Sequence, residues 1–331
     1  MSEATAIKED VGVTELDQER PLVFVGPDEL KRIRAKNERF YLGLIYIFDA
    51  FALAAVSAIF LLPNFGLGAL LLVAASGLSF WLASYVSWKF LYWFVHGNSI
   101  RVSDSQYPFL ADVVRQASEA LRLPSVPTVF VLQGHGLLEL FVAKRFSRRG
   151  MIVITSNLMD DLAVTGDTRR LMMIVGRQLG HIAAGHFHWW FLKDVVGALT
   201  FLLHRAYKRR CHYTADRIGY LICTSIEESE KALLTLTVGR QLAPETSLAS
   251  VGEQAAEYDE SAWAHFHEWL SAYPAMIKRI RGLEYFHQGL VAKRVLASSG
   301  QPINVVRIAH HSFAFARINT AVIAGSAVVS A

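Results

Sequence analysis

The chain is short of cysteine, short of charge and nearly balanced in sign, and each shortage excludes something. Two cysteines in 331 residues, Cys211 and Cys223, cannot build a disulfide framework, and their spacing fits no C-x-x-C zinc or redox motif. A reducing compartment is the simplest reading. Charged residues make up 19% against 53% hydrophobic, with a mean hydropathy of +0.29. That is too apolar for an ordinary soluble enzyme and directs attention to membrane-spanning runs. The net charge is only +4 despite a pI near 9.0. So small an excess, in a chain with apolar runs, fits inside-positive flanks better than a nucleic-acid surface. No nucleic-acid partner is expected. Residues 1–40 hold no apolar run, so no signal peptide is read there.

What is present begins with a polybasic flank. Lys31, Arg32, Arg34, Lys36 and Arg39 precede the apolar run Tyr41 to Leu62, which at about 22 residues is long enough to cross a bilayer core. Pro63-Asn64-Phe65-Gly66 makes an uncharged turn, and Leu67 to Trp88 is a second run of similar length. The pair is expected to form a transmembrane helical hairpin over residues 41–95, with the N-terminal arm (1–40) and the main domain on the cytoplasmic, basic side. A bacterial inner membrane or its equivalent is the expected location, and the lipid bilayer the first partner. Small residues recur every four positions at Ala75, Ser79, Ala83 and Ser87, and at Ala50, Ala54 and Ala58. Such stripes let helices approach closely, either the two spans on each other or copies in a homo-oligomer. Asp49 is an intramembrane carboxyl, costly unless it faces protein or water; a bond to Ser79 or Ser84 is the plain expectation, and a proton-relay role the weaker one.

Beyond residue 101 the pattern becomes that of a mixed, mostly helical domain, α+β in class, running to residue 290 and followed by a tail over 291–331. Tyr107 to Leu121 has helical periodicity in Leu110, Val113, Val114 and Ala117. Thr128–Leu132, Leu138–Phe146 and Met151–Thr155 are strand candidates, separated by Gly134, Gly136 and Gly150, and predict a small meander. A helix follows Asp167-Thr168, with Leu171, Ile174, Val175, Leu179 and Ile182 on its core face. Residues 189–204 fit a surface-lying or buried helix, 205–240 one or two helices, 244–260 a polar loop, and 261–286 helix around Tyr273-Pro274.

The central helix carries Arg177-Gln178-Leu179-Gly180-His181, then Ile182-Ala183-Ala184-Gly185-His186. With His for Arg177 and Glu for Gln178 it would read H-E-x-x-H, in which two histidines at i and i+4 hold zinc and the glutamate acts as base. Together with His212 to Asp216 inside Arg209–Gly219, and Tyr273-Pro274 with Arg279-Ile280, these stretches resemble the HtpX and CAAX-prenyl-protease group of membrane zinc peptidases. The two apolar runs agree with the HtpX-like layout. The resemblance implies a gluzincin-like peptidase domain over roughly residues 105–285. It implies that Arg177 stands at the first histidine ligand, Gln178 at the general base, and His181 at the retained second ligand. His212 replaces the glutamate ligand, Asp216 keeps the supporting carboxylate, and Tyr273 replaces a histidine.

The departures fall on the chemistry. On a helix Arg177, Gln178 and His181 share one face. Unit charges 4 Å apart interact by about 4 kcal/mol at an effective dielectric of 20, so a divalent ion beside a guanidinium meets roughly 8 kcal/mol of repulsion. Arginine does not shed its proton to relieve this, and glutamine cannot serve as a general base, a loss of about 10²–10⁴ in rate. No catalytic residue, no metal and no cofactor is therefore expected. Arg177 should instead stand in for the metal and bond to Asp216 or another carboxylate. The alternative is a rebuilt zinc site on His181, His212 and Asp216 in an active metallohydrolase. His186, about 140° around the helix from His181, and Cys211, pointing away from His212, are not expected as extra ligands. The resemblance implies that a partner peptide would add as a strand beside Leu138, Leu140 and Val142. The expected function is a membrane-anchored pseudoprotease acting as scaffold, adaptor or regulator in a complex of membrane proteins.

Overall fold

A computed structural model describes residues 25–59, 67–133, 140–143, 150–156, 158, 168–187, 200–239 and 241–298. By its internal contacts the chain divides into two compact units, Met1–Ile280 and Arg281–Ala331. The sheet, the helices around it and the candidate site all belong to the first.

After a short helix α1 (Pro27–Ile33), two long helices carry most of the exposed apolar surface, α2 (Glu38–Ile59) and α3 (Leu67–Asn98). Both are long and apolar enough to cross a membrane, with hydropathy 1.8 in each. The 32 residues of α3 extend about 48 Å, well beyond the roughly 30 Å hydrocarbon thickness of a bilayer. The sequence placed the end of the apolar run at Trp88, but the helix continues for ten more residues because its last turns serve the domain core. Trp88 and Val95 pack with Phe130, Met151 and Val153, flanked by Leu91 and Tyr92.

The small-residue stripes are exposed on both helices, so they do not pack α2 and α3 on each other as the plain reading expected. Asp49 follows from the same fact. Its side chain is buried, on the face that also buries Ile45, yet neither carboxylate oxygen has a hydrogen-bond partner among the described residues. The expected bond to Ser79 or Ser84 is not made.

The strands form a four-stranded sheet in the order β1-β2-β4-β3, from β1 (Ser99–Arg101), β2 (Thr128–Leu132), β3 (Leu140–Ala143) and β4 (Met151–Thr155). It is not the meander that the turn signals suggested. β2 and β4 pair in parallel, from Thr128 opposite Met151 to Leu132 opposite Thr155, while β3 joins the far side of β4 antiparallel. Every residue of β4 is buried, as befits an apolar inner strand with neighbours on both sides. β1 follows α3 without a linker and pairs antiparallel with β2. Three residues are too few to show alternation in a sequence.

Around the sheet, α4 (Pro108–Ala120) buries Leu110, Val113, Val114 and Ala117, the face its periodicity marked out. The central helix α5 (Thr168–Ala183) buries every residue from Leu171 to Ile182; Asp167, its expected cap, lies outside the described residues. So does most of 189–204, and the next helix, α6, spans Phe201–Cys223. Helix α7 (Ile226–Val238) starts at a Ser225 cap whose side chain accepts from the Glu228 N–H.

Residues 244–260 are not a loop. A 3₁₀ turn at Ala243–Glu245 leads to helix α8 (Leu248–Glu260), capped by Ser247. Polarity hid it: Ala249, Glu253, Gln254, Ala255, Ala256 and Glu257 are good helix formers, and Ala255 alone is buried. Helix α9 (Ala262–Leu270) and the start of α10 (Met276–Ser298) flank Tyr273-Pro274 as expected. Of the tail expected over 291–331, the part beyond Ser298 lies outside the described residues.

The close contact of the molecule is between α5 and α6, which run antiparallel with glycine at the crossing. A β-carbon on Gly176 would sit 3.0 Å from Ile222, one on Gly180 3.0 Å from Ile218, and one on Gly219 2.7 Å from the Met173 carbonyl oxygen. A helical Gly→Ala change elsewhere gains up to about 1 kcal/mol in propensity, but a backbone overlap of that size outweighs it. Gly219→Ala is expected to destabilise by about 1–3 kcal/mol. Gly252→Ala, on α8 with nothing within 4 Å, is expected to be neutral or to stabilise by up to about 1 kcal/mol. Thermal unfolding of the two variants in detergent checks the opposite signs.

Candidate functional site

The glycine contact sets two buried side chains opposite each other. Arg177, one residue beyond Gly176, and Asp216, three before Gly219, meet with Arg177 Nε donating to Asp216 Oδ1 at 2.8 Å. Arg279, in the first turn of α10, completes the group: its Nε donates to Oδ2 at 2.7 Å and a terminal nitrogen to Oδ1 at 2.6 Å. The second face of Arg177 turns to His212, whose Nδ1 accepts from the guanidinium at 3.2 Å. The His212 ring meets the His181 ring edge to face, with centroids 5.2 Å apart, and lies tilted against the ring of Tyr273, at 4.6 Å. Gln178 is buried on the same helix. Five of the six positions singled out in the sequence thus converge: Arg177, His181, His212, Asp216 and Tyr273.

Arg279, which completes the cluster, appeared in the sequence only as half of the Arg279-Ile280 pair. Two guanidinium groups against one carboxylate leave a net positive charge in a buried place. Burial, then the charge of Arg279, bring the Arg177 guanidinium down to about 10, so it stays charged at neutral pH. Although burial acts against it, the Asp216 carboxyl is held below its ordinary value by Arg279 and Arg177. Burial, reinforced by the neighbouring cations, pushes both His181 and His212 well below the ordinary imidazole value of 6.5. At neutral pH the cluster is Arg⁺, Arg⁺, Asp⁻ and two neutral imidazoles.

That arrangement does not fit a metal on His181, His212 and Asp216. Both oxygens of Asp216 accept from guanidinium groups, and His212 Nδ1 accepts from Arg177. A divalent ion there would face two positive charges as well as lose these acceptors.

A second cluster adjoins the first, and no motif in the sequence pointed to it. Helix α5 ends at Ala183, and Gly185 takes the left-handed conformation, φ 71°. This turns His186 back on the helix, where its Nδ1 lies 2.8 Å from His181 Nδ1. The expected separation of 140° does not hold, because the helix stops before His186. His186 Nε2 lies 3.4 Å from the Glu38 carboxylate, which also accepts from Arg34 and from the Thr214 hydroxyl. Glu38, His186 and Cys211 hold their ligand atoms within 4.8 Å of one another, the one such triplet among the described residues. Cys211, set aside as pointing away from His212, belongs here. Arg34 and Thr214 already occupy the carboxylate, so the triplet reads as a polar joint.

The joint ties the start of α2 to the domain. Thr214 Oγ1 accepts from the Ala35 N–H at 2.8 Å, Arg34 donates to the Ala184 carbonyl at 2.5 Å, and Arg217 donates to the carbonyls of Ile33 and Arg34 at 3.1 Å each. Of the three positions expected to receive a strand, Leu140 and Val142 lie on β3, at one end of the sheet order. Leu138 lies outside the described residues.

No family model, no curated protein and no solved structure matches this chain.

Removing one member of a buried ion pair leaves the other uncompensated, at a cost of about 3–5 kcal/mol. Asp216→Ala strands two guanidinium groups and is expected to lose that much stability or more. Arg177→Met leaves Asp216 held by Arg279 and should cost clearly less. Urea unfolding of both variants in detergent measures the difference.

The histidines give a pH dependence of definite sign. Because their folded-state proton affinity is depressed, the unfolded chain binds more protons below about pH 6.5. Their stabilising contribution is complete above that pH and diminishes as pH falls toward the folded values. The thermal midpoint should therefore drop between pH 7 and pH 5, and the drop should shrink in the His181→Gln, His212→Asn double variant.

Proposed function

We propose that this chain is a membrane-anchored pseudoprotease: a zinc-peptidase-like domain, gluzincin in plan and without its chemistry, that binds a protein partner as scaffold, adaptor or regulator. The observation that carries the reading is Arg177. In the pattern the chain resembles, its position belongs to a metal-binding histidine. Here a guanidinium occupies it and donates to Asp216, so a fixed positive side chain takes the part of the cation in organising the surrounding residues. Gln178, at the position of the base, has no proton-accepting carboxylate. Hydrolysis by the zinc mechanism lacks its metal site and its base together.

The same reading makes α2 and α3 a transmembrane hairpin with the N-terminal arm and domain on the cytoplasmic side of a bacterial inner membrane or its equivalent. In support, both helices are fastened to one body. The start of α2 is held by Thr214 and Arg217, and the end of α3 packs against β2 and β4. Lys31, Arg32, Arg34, Lys36 and Arg39 stand on that shared side. For the partner, the reading uses the β3 edge, where an extended peptide can add by main-chain hydrogen bonds with no metal.

Two measurements on the full chain in detergent test it. Metal analysis should find no stoichiometric zinc, and an unfolded substrate such as β-casein should survive incubation. Chelator-sensitive cleavage, or one zinc per chain lost on His181→Ala, would overturn the proposal in favour of a metallohydrolase rebuilt on His181, His212 and Asp216. The triple change Arg177→His, Gln178→Glu, His212→Glu asks separately whether the framework still holds peptidase geometry, with chelator-sensitive cleavage as the positive result.

A further inference from the structure

Helix α9 presents an aromatic face that the protein core does not cover. Trp263 is 80% exposed, Trp269 62% and Phe266 51%, at spacings of three residues that put them on one side of the helix. An uncovered face of this kind in a folded domain calls for an occupant. Its place in the fold says which.

Helix α6 runs antiparallel to α2. Thr214 meets Ala35 and Glu38 at the start of α2, and Tyr207 and Leu203 pack with Tyr41, Leu42 and Ile45 further along it. Going backwards along α6 is therefore going forwards along α2, into the apolar window Glu38–Ala58. At 1.5 Å per residue, Ile45 lies about 10 Å past Glu38. Phe201 and Leu202, both about half exposed, lie at that level or deeper. Helix α9 is fixed to this same stretch of α6: Arg209 donates to the carbonyls of Glu268 and Ser271 at 2.5 and 2.6 Å. An open groove of about 600 Å³ joins Phe201, His204 and Arg205 to His267, Leu270 and Tyr273. Arg205 lies over the Phe201 ring, 3.9 Å from its centroid, and Lys208, Arg209 and Arg210 follow along α6.

We infer that the α6–α9 face is a membrane-interface surface. Trp263, Phe266 and Trp269 sit at the headgroup–acyl boundary of the bilayer that α2 enters, and the groove beside Arg205 faces its anionic phospholipids. Tryptophan favours that boundary because its ring is apolar at one end and donates a hydrogen bond at the other. The row of basic residues at the same level suits anionic headgroups. A helix of nine residues cannot span the bilayer, and lying in the interface is the mode open to it. The inference rests on the reading of α2 and α3 as membrane spans, and its test separates the two.

The full chain is placed in nanodiscs of phosphatidylcholine with phosphatidylglycerol and spin-labelled at single introduced cysteines. Cys211 and Cys223 are buried, and a chain without an introduced cysteine sets their background. Labels at Trp263→Cys and Phe266→Cys report the face, Leu71→Cys on exposed α3 reports the span, and Gln116→Cys on the exposed side of α4 reports water. The expected result is an oxygen-over-nickel-chelate accessibility ratio several-fold higher at the two α9 sites than at Gln116, and highest at Leu71. If Leu71 is lipid-like while both α9 sites match Gln116, the inference falls and the spans stand. If both α9 sites are closed to both reagents, protein covers the face and the inference falls likewise. A water-like ratio at Leu71 overturns the spanning reading and the inference with it.

Discussion

The close approach of α5 to α6 is the constraint on which the remaining arrangement depends. Three glycines remove the side chains that would hold the helices apart. With the backbones that near, an arginine and an aspartate that the sequence separates by 39 residues come within a single hydrogen bond, with His181 and His212 ring against ring. A wider crossing would admit water between the charges. Screened charges would have little reason to stay in register. The charged cluster is therefore a product of the helix packing. Arg279 completes it from a third element, linking the last part of the first unit to its centre.

The second cluster depends on where α5 stops. One glycine in the left-handed region reverses the chain and aims His186 at both His181 and the Glu38 joint. Polar groups, buried or half-buried, follow one another from the start of α2 through Glu38, His186 and His181 to His212, Arg177 and Asp216, with His181 and His212 meeting ring edge to ring face. Such networks are costly when half satisfied and rigid when complete. On the proposed reading, a site without its chemistry keeps this network because it joins the membrane helix to the domain.

Much of this was legible in the sequence, for reasons that are local. Two long apolar runs, the 3.6-residue pattern of Leu110, Val113, Val114 and Ala117, and the apolar strands at Thr128 and Met151 each declare themselves within a short window. Helical spacing also put Arg177 with His181, and His212 with Asp216, on one face each; that the two pairs meet was implied only by the family resemblance. What escaped was set by distance or by ends. The parallel pairing of β2 with β4 depends on a neighbour some twenty positions away. The helix at Leu248–Glu260 buries a single alanine, so it carries no apolar stripe to find. The return of His186 hinged on one glycine ending α5, and Glu38 looked like one more charge in a polybasic flank.

The unbroken run of α3 into β1 has a mechanical meaning. There is no linker between the last helical turn at Asn98 and the first strand residue at Ser99, and the helix's final turns are themselves part of the core. With α3 taken as a span, the domain is mounted on a stiff post. The sheet then keeps a set height and bearing above the lipid. A protein docking at its edge would have to come at that level, so this anchor acts as a ruler where a flexible tether would act as a leash.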